Sequence, residues 1–286
     1  MKRNLIISHD LGTTGDKGCL WDLEGNLIAS YRCAYPLYHP HPTWAEQDPK
    51  HWWKAFKMST KHLIKQAHVD PRDVEAIGFS GQMMGCLPVN AKGEPLRRAI
   101  IWMDQRSLDQ AEEIKSKLGE WEYYITTGVR PNATWSLPKF MWLRDNQPEI
   151  LRKAYRFLMA KDFIIMRLTG KFVTDYSDAS LSGSLSIKER NWAFEFLREL
   201  NIPSDLFPDI MHSTYVVGEL GAKEAHETGL NQGTRVVLGG GDGPCATVGS
   251  GCVNEGDVYI YVGTSSWISA TTSKHLKDPK MRFFNM

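Results

Sequence analysis

Apolar residues along the chain come in short clusters broken by glycine, proline and polar turns, and their spacing alternates between strand and helix periods. The opening reads as three strands, residues 4–8, 17–22 and 27–33, with a glycine-rich turn after the first. The second and third are joined by Leu23-Glu24-Gly25-Asn26, and so short a Gly/Asn turn predicts an antiparallel hairpin. A polar, proline-bearing loop comes next, over residues 39–48. Asp48 then supplies an N-cap and Pro49 the first helical position. Trp52, Phe56, Leu63 and Ala67 recur near one face at helical spacing beyond it.

Residues 74–80 form a short buried-strand pattern ending in Gly81-Gln82-Met83-Met84-Gly85. A strand-like pair brackets Ala91-Lys92-Gly93-Glu94, and Ile100-Ile101-Trp102 closes it. From Ser107 to about Asp162 the pattern is helical, punctuated by Pro131, Pro138 and Pro148 and interrupted by a strand-like segment at 156–159. Residues 174–184 are polar and read as a loop. Residues 235–238 predict a strand running into Gly239-Gly240-Gly241-Asp242-Gly243. Residues 257–262 predict another, running into Gly263-Thr264-Ser265-Ser266, with a partner strand at 267–271. The end of the chain thus repeats the opening theme of strand, glycine-threonine turn, strand. That echo implies two related domains, one over 1–240 and a second, over 241–286, only begun.

With 286 residues, 42% hydrophobic and 11% aromatic, the chain has ample material for a buried core. A net charge of +1, with no basic block, gives no electrostatic support to a nucleic-acid or anionic-membrane partner. Cys19, Cys33, Cys86, Cys245 and Cys252 form neither a C-x-x-C pair nor a zinc-ligand spacing, and scattered thiols fit a reducing compartment. The apolar run after Lys2 and Arg3 stops at His9-Asp10, too short for a signal peptide, and no run approaches membrane-spanning length. A cytoplasmic protein is the expectation.

Four motifs could carry chemistry. Asp10-Leu11-Gly12-Thr13-Thr14-Gly15 is a turn between two antiparallel strands, where glycines, consecutive N–H groups and threonine hydroxyls can hold phosphate oxygens. Asp10, at the end of the first strand, is placed to bind magnesium through water. Taken alone, such a run is more often an ordinary hairpin turn. Gly263-Thr264-Ser265-Ser266 is a second turn of the same kind, and a nucleotide tail clasped between two domains needs one from each. In Gly239-Gly240-Gly241-Asp242-Gly243-Pro244 an acid amid glycines, between a strand and a helix, suits a general base that must reach a substrate hydroxyl. The run Gly241-x-Gly243-x-x-Ala246 also matches a dinucleotide fingerprint, but Glu255 and Asp257 precede the next strand instead of ending it, which ranks an NAD enzyme below a kinase. Finally, Gln82 with Met83 and Met84, and Trp102 with Asp104, Gln105 and Arg106, offer amide, carboxylate and guanidinium groups beside apolar faces, as a sugar requires. Singly, each fits core packing or a solvated helix start as well.

In this order the motifs resemble the FGGY family of carbohydrate kinases, in its xylulokinase-like branch. The carrying residues are Asp10 to Gly15, Trp44-Ala45-Glu46-Gln47-Asp48-Pro49 with Trp52-Trp53, Gly81 to Gly85, and Ile101-Trp102-Met103-Asp104-Gln105-Arg106. They continue with Lys161-Asp162, Thr174-Asp175-Tyr176-Ser177-Asp178-Ala179, Gly239 to Asp242, and Gly263-Thr264-Ser265. The resemblance implies an α/β, actin-like ATPase (ribonuclease-H-like) fold, a mixed sheet with helices, whose second related domain is incomplete here. It implies ATP and Mg2+ as cofactors and a small sugar as substrate, a ketopentose such as D-xylulose, with a homodimer left open as the assembly. Asp242 would be the catalytic base. Gly12, Thr13 and Thr14 with Gly263, Thr264 and Ser265 would bind ATP phosphates, and Asp10 would hold magnesium. Gln82, Met83, Met84, Trp102, Asp104, Arg106 and Asp242 would line the sugar site.

Two departures bear on the sugar. Met84 stands where xylulokinases usually have His, and Gly243 where they usually have Asn; an acid followed by glycine is similar to some gluconate-kinase-like members. A third is length, because family members carry a full second domain. Two readings outside catalysis by this chain stay open: a truncated sugar-binding relative, and an actin-like ATPase without a sugar substrate.

Overall fold

The structure, a computed structural model, describes residues 4–262 and 266–286. Strands β1 (Leu5–Leu11), β2 (Gly15–Asp22) and β3 (Leu27–Ala34) form an antiparallel meander, with Leu5 opposite Asp22 and Leu11 opposite Asp16. Along β1, Leu5, Ile7 and Leu11 are buried and alternate with half-covered neighbours, the period of a strand with one face on the core. Helix α1 (Pro49–Ala67) starts as its sequence dictates: the Asp48 carboxylate accepts from the Lys50 amide at 2.9 Å, and Pro49 occupies the first turn. Its buried residues Trp52, Phe56 and Leu63 lie against β2 and β3.

Strand β4 (Val74–Gly81) lies parallel to β1, and β5 (Val216–Glu219), β6 (Arg235–Val237) and the short β7 (Gly240–Gly241) complete a seven-stranded mixed sheet. Its order is β5-β6-β4-β1-β2-β3, with β7 pairing β4 further along. A second core gathers around helices α2 (Leu108–Leu118), α3 (Glu120–Thr127) and α4 (Ser136–Asn146). Helix α5 (Ala160–Thr169) packs across the first core, where Phe163, Ile164 and Ile165 are buried. No helix among the described residues is long and apolar enough to cross a membrane.

Two expectations change. The polar stretch 174–184 is not a surface loop: it holds a strand at Val173–Asp175 and helix α6 (Tyr176–Ser180). Asp175 caps that helix by accepting from Ser177 N, and Asp175, Asp178, Ser180, Ser182 and Ser184 are buried. Lys161 meets Asp175 and Asp178 at 2.9 Å, and Ser180 and Ser182 donate to the Ser177 and Ala179 carbonyls, so hydrophilic composition misreports exposure here. The strand Leu87–Val89 pairs with Arg156–Leu158 across the chain, and meets its expected neighbour past the 91–94 turn through a Val89–Pro95 bridge and the Leu96 N to Pro88 O bond at 3.0 Å.

The junction of β6 and β7 carries one extra residue. Arg235 and Val236 pair with Ala76 and Ile77, whereas Gly240 and Gly241 pair with Ser80 and Gly81, so the register slips by one between them. Gly239 absorbs the bulge at φ +69°, and a Cβ there would overlap the Phe79 carbonyl.

Lys139 of α4 is fully buried. Its ammonium donates to the Met84 carbonyl at 2.8 Å and to the Thr134 carbonyl, and no carboxylate among the described residues pairs with it. Burial pushes its pKa down from 10.5 to about 7. The Met84 carbonyl that it holds belongs to a residue at φ 63°, a backbone state that a side chain larger than glycine rarely adopts.

Gly239→Ala meets both a positive φ and a backbone clash, and is expected to lower the unfolding free energy by about 3 kcal/mol or more in urea titration. For Lys139 the unfolded chain binds the extra proton between about pH 7 and 10.5, so this residue makes the fold more stable as pH rises through that window. Lys139→Met is expected to flatten that rise; urea midpoints at both ends of the window that shift equally in the two proteins would contradict it.

Candidate active site

β1, β4 and β7 run parallel side by side, and Leu11, Gly81 and Gly241 stand at one level across them. The residues just past each strand are therefore brought to a common edge: the turn Gly12-Thr13-Thr14 after β1, Gln82 and Met83 after β4, and Asp242 after β7. Such a carboxyl edge of parallel strands is where open α/β sheets hold ligands.

The turn is anchored by its carbonyls. Tyr35 Oη donates to Gly12 O, Gln47 Nε2 to Thr13 O at 2.6 Å, and Tyr35 N to Thr14 O at 3.4 Å. Among the described residues, no acceptor faces the amides of Thr13 and Thr14. That polarity, carbonyls held and amides free, is what an anion needs. Gly15 is required beneath it, since a Cβ would lie 2.6 Å from Cys33 O. Under the same hairpin a buried His9–Asp16 pair at 3.0 Å, with Thr60 Oγ1 3.2 Å from the other ring nitrogen, ties β1 and β2 to α1.

Asp10 accepts from Ser80 Oγ at 3.1 Å through one oxygen. Burial, reinforced by the nearby Asp16, pushes its pKa above the ordinary carboxylate value. Asp242 opens the helix α7 (Asp242–Gly249), and one of its oxygens accepts from Gly243 N at 2.8 Å. Burial and then the charge of Asp10 push its pKa up to about 6. The two acids thus share one electrostatic neighbourhood, and either form of Asp242 is accessible near neutrality.

The sugar-side candidates divide into two groups. Gln82 is buried and donates to Gln47 Oε1 at 2.7 Å, while its own carbonyl oxygen has no partner, a buried acceptor free for a hydroxyl. Met83 packs against Gly241, whose missing side chain leaves room for the thioether beside Asp242. Met84 comes next, in its left-handed conformation. Trp102 reaches the phosphate turn, donating from Nε1 to Thr13 Oγ1 at 2.8 Å. Asp104 and Arg106 are instead engaged with each other. Arg106 Nη2 lies 2.8 Å from Asp104, whose carboxylate also accepts from Ala45 N at 2.6 Å, and the guanidinium stacks on Trp44. One guanidinium nitrogen, Nη1, is buried without an acceptor. Gly263, Thr264 and Ser265 lie outside the described residues; the strands flanking them, β8 (Val258–Val262) and β9 (Ser266–Ala270), pair antiparallel as expected.

Sequence reasoning gave Gln47 no role, yet it joins the site's parts: it holds Thr13 O, Gln82 Nε2 and, at 2.9 Å, Trp52 Nε1. The signal was an amide placed just before the Asp48-Pro49 helix start, inside the run that carries the family resemblance.

Comparison with known proteins agrees with this geometry. The profile of the FGGY family of carbohydrate kinases, N-terminal domain, matches residues 5–249. The xylulose kinase of Staphylococcus xylosus is 32% identical over 282 residues, covering 98% of this chain and 58% of that protein. A ligand-bound xylulose kinase from Lactobacillus acidophilus superposes with a TM-score of 0.93 at 30% identity, covering 98% of this chain and 57% of the other. A gluconate kinase from Lactobacillus acidophilus gives a TM-score of 0.88 at 30% identity, covering 93% and 54%. The chain spans little more than half the length of these relatives, and shares with them the mixed-sheet, ribonuclease-H-like and actin-like ATPase fold. With the profile matched from the first strand to the helix that opens at Asp242, the chain belongs to the FGGY family of carbohydrate kinases.

Proposed function

We propose that this chain carries the sugar-side part of an ATP-dependent carbohydrate kinase, with Asp242 as the base that deprotonates a sugar hydroxyl. The observation that carries this reading is the convergence at one sheet edge of an amide-presenting turn, a buried free acceptor on Gln82 and a carboxyl group with its pKa near 6. In the reaction the hydroxyl oxygen bonds to the γ-phosphorus, its proton passes to Asp242, and the bond to ADP breaks. The amides of Thr13 and Thr14 take phosphate oxygens, and Gly263 to Ser265 supply the matching turn from the second domain. Positioning and charge compensation supply most of the rate.

Magnesium fits the acids at this edge. Asp10 keeps one oxygen free of Ser80, and burial, with the charge of Asp16 behind it, makes its negative charge costly in a way that a cation would offset. No group of three or more candidate ligands is gathered among the described residues, which suits an ion that keeps most of its waters and takes one or two carboxylates. Held through water by Asp10, magnesium would neutralise charge on the transferring phosphate.

A ketopentose such as D-xylulose is the proposed substrate, since the Staphylococcus xylosus relative and the Lactobacillus acidophilus structure are xylulose kinases. Gluconate is the second reading, favoured by Met84 and Gly243 and by the equally similar gluconate kinase. Gln82, Met83, Met84 and Trp102 form the wall against the sugar, and the Asp104–Arg106 pair braces it. The division at residue 240 belongs to the same reading: residues 1–240 form the sugar-side domain, and 241–286 begin the nucleotide-side one. A cytoplasmic setting accords with five free thiols.

A coupled ADP-release assay with D-xylulose, gluconate, L-ribulose and glycerol tests the reading. Sugar-dependent release names the substrate. Sugar binding by calorimetry without release identifies a sugar pocket that lacks its nucleotide partner, and neither signal would overturn the assignment. In a protein that turns over, kcat/KM is expected to be full above about pH 6 and to fall as pH drops through it, because the base must be unprotonated. Asp242→Asn is expected to cost roughly 100- to 10,000-fold in kcat while calorimetric sugar affinity stays near wild type.

A further inference from the structure

Two motifs that mark the family resemblance, Lys161-Asp162 and Thr174 to Ala179, have no part in the scheme above. The fold gathers them directly beneath the catalytic edge. Lys161 Nζ lies 2.8 Å from Asp162, 2.9 Å from Asp175 and 2.9 Å from Asp178, and all four side chains are buried. Burial opposes the Lys161 ammonium, but the surrounding carboxylates hold its pKa well above the ordinary value. Burial and the neighbouring Asp162 and Asp175 push the Asp178 pKa well above its ordinary value, while Lys161, against burial, holds that of Asp175 below its own.

Asp175 faces two ways. One oxygen meets Lys161; the other accepts from Ser177 Oγ at 2.5 Å and from Ser213 Oγ at 3.0 Å. Both serines then grip the glycine bulge that precedes Asp242. Ser177 has given its only hydroxyl hydrogen to Asp175, so its oxygen accepts from Gly241 N, at 2.9 Å. Ser213 accepts through its carbonyl from Gly239 N, at 2.8 Å. One carboxylate oxygen therefore controls both ends of the three-residue bulge. The Gly240 position confirms how close the parts lie, since a Cβ there would sit 3.1 Å from Ser177 Oγ and 3.6 Å from Asp175.

We infer that Ser177 and Ser213, aligned by the Lys161-anchored Asp175 carboxylate, are positioning residues that hold the Gly239–Gly241 bulge and thereby aim Asp242 at the sugar hydroxyl. A bare glycine run has no side chains with which to fix itself and would otherwise sample many conformations. A charged, buried acceptor acting through two hydroxyls gives it one. The inference rests on Asp242 being the base, and its test separates the two.

The experiment compares wild type with Ser177→Ala, Ser177→Thr and Ser213→Ala by thermal unfolding, amide NMR with hydrogen exchange, and sugar-kinase kinetics. Ser177→Ala is expected to keep its unfolding midpoint, to lose protection at the Gly241 amide, and to shift the Asp242 and Gly243 amide resonances. Its kcat falls about 10- to 100-fold with KM for the sugar little changed, the signature of a misplaced reacting group. Ser177→Thr, which retains the hydroxyl, restores both, and Ser213→Ala gives a smaller shift of the same resonances. Unmoved Asp242 and Gly243 resonances in Ser177→Ala, or a loss confined to KM, would overturn the inference. If Ser177→Ala fails to fold, Ser213→Ala decides by the same resonances. If wild type shows neither sugar binding nor sugar-dependent turnover, the kinase reading fails, while the NMR comparison still judges the positioning role.

Discussion

The site depends on the pairing of β4 between two parallel neighbours. Because β1 lies on one side of it and β6–β7 on the other, with Leu11, Gly81 and Gly241 in register, three segments remote in sequence end at one edge. Parallel pairing makes this convergence automatic, since every strand in such a group delivers its carboxyl end to the same place. The one irregularity is the extra residue before β7. A regular strand would turn the side chain after Gly241 to the other face, because side chains alternate along a strand; the bulge resets that alternation.

Electrostatics at this edge arise from burial. Asp10 and Asp242 are drawn into a region with little water, so both resist ionisation, and Asp242 feels Asp10 in addition. A few ångströms deeper the opposite balance holds. There Lys161 faces three carboxylates, which hold its pKa well above the ordinary value, and it in turn holds that of Asp175 low, while burial pushes that of Asp178 up. A buried cation with this many acceptors is costly to desolvate, and such groups persist where they specify geometry more than stability. In the proposed reaction the upper layer would carry the proton transfer and the lower layer would aim it.

Beyond α7 the chain is bound lightly. Tyr259 Oη lies 3.2 Å from Gly243 O and receives Trp267 Nε1 at 2.8 Å, tying the β8–β9 hairpin to helix α7. Ile260, Val262 and Ile268 are 66%, 81% and 73% exposed. An apolar hairpin face of that kind is built to be covered by further sheet or helix, in keeping with relatives almost twice as long. The segment 276–286 returns to the second core, where Asn285 N donates to Gly128 O at 2.9 Å and Phe284 meets the edge of Trp135.

Much of this was legible in the residues. Alternation along 5–11, the Gly25-Asn26 turn and the Asp48-Pro49 helix start each report a local preference, and local preferences survive folding when burial agrees with them. The turn at Gly12 and the acid at Asp242 were equally visible, because glycine and carboxylate advertise their chemistry wherever they stand. Four things were not legible. Polar residues 174–184 read as a loop, since composition records hydrophilicity without saying whether water or a buried lysine meets it. Gln47 looked like one amide among many until the fold set Thr13, Trp52 and Gln82 around it. Asp104 and Arg106 looked like a pair of ligand groups, and their mutual ion pair appeared only when Trp44 closed over them. The bulge at Gly239 leaves no trace beyond three consecutive glycines, because register belongs to the partner strand. The sequence by itself determined the elements and the family and pointed to candidate reacting groups, all matters of residue type and spacing along the chain. Only the tertiary structure decided which polar groups face each other, because pairing energy depends on distances between segments that the chain order does not contain.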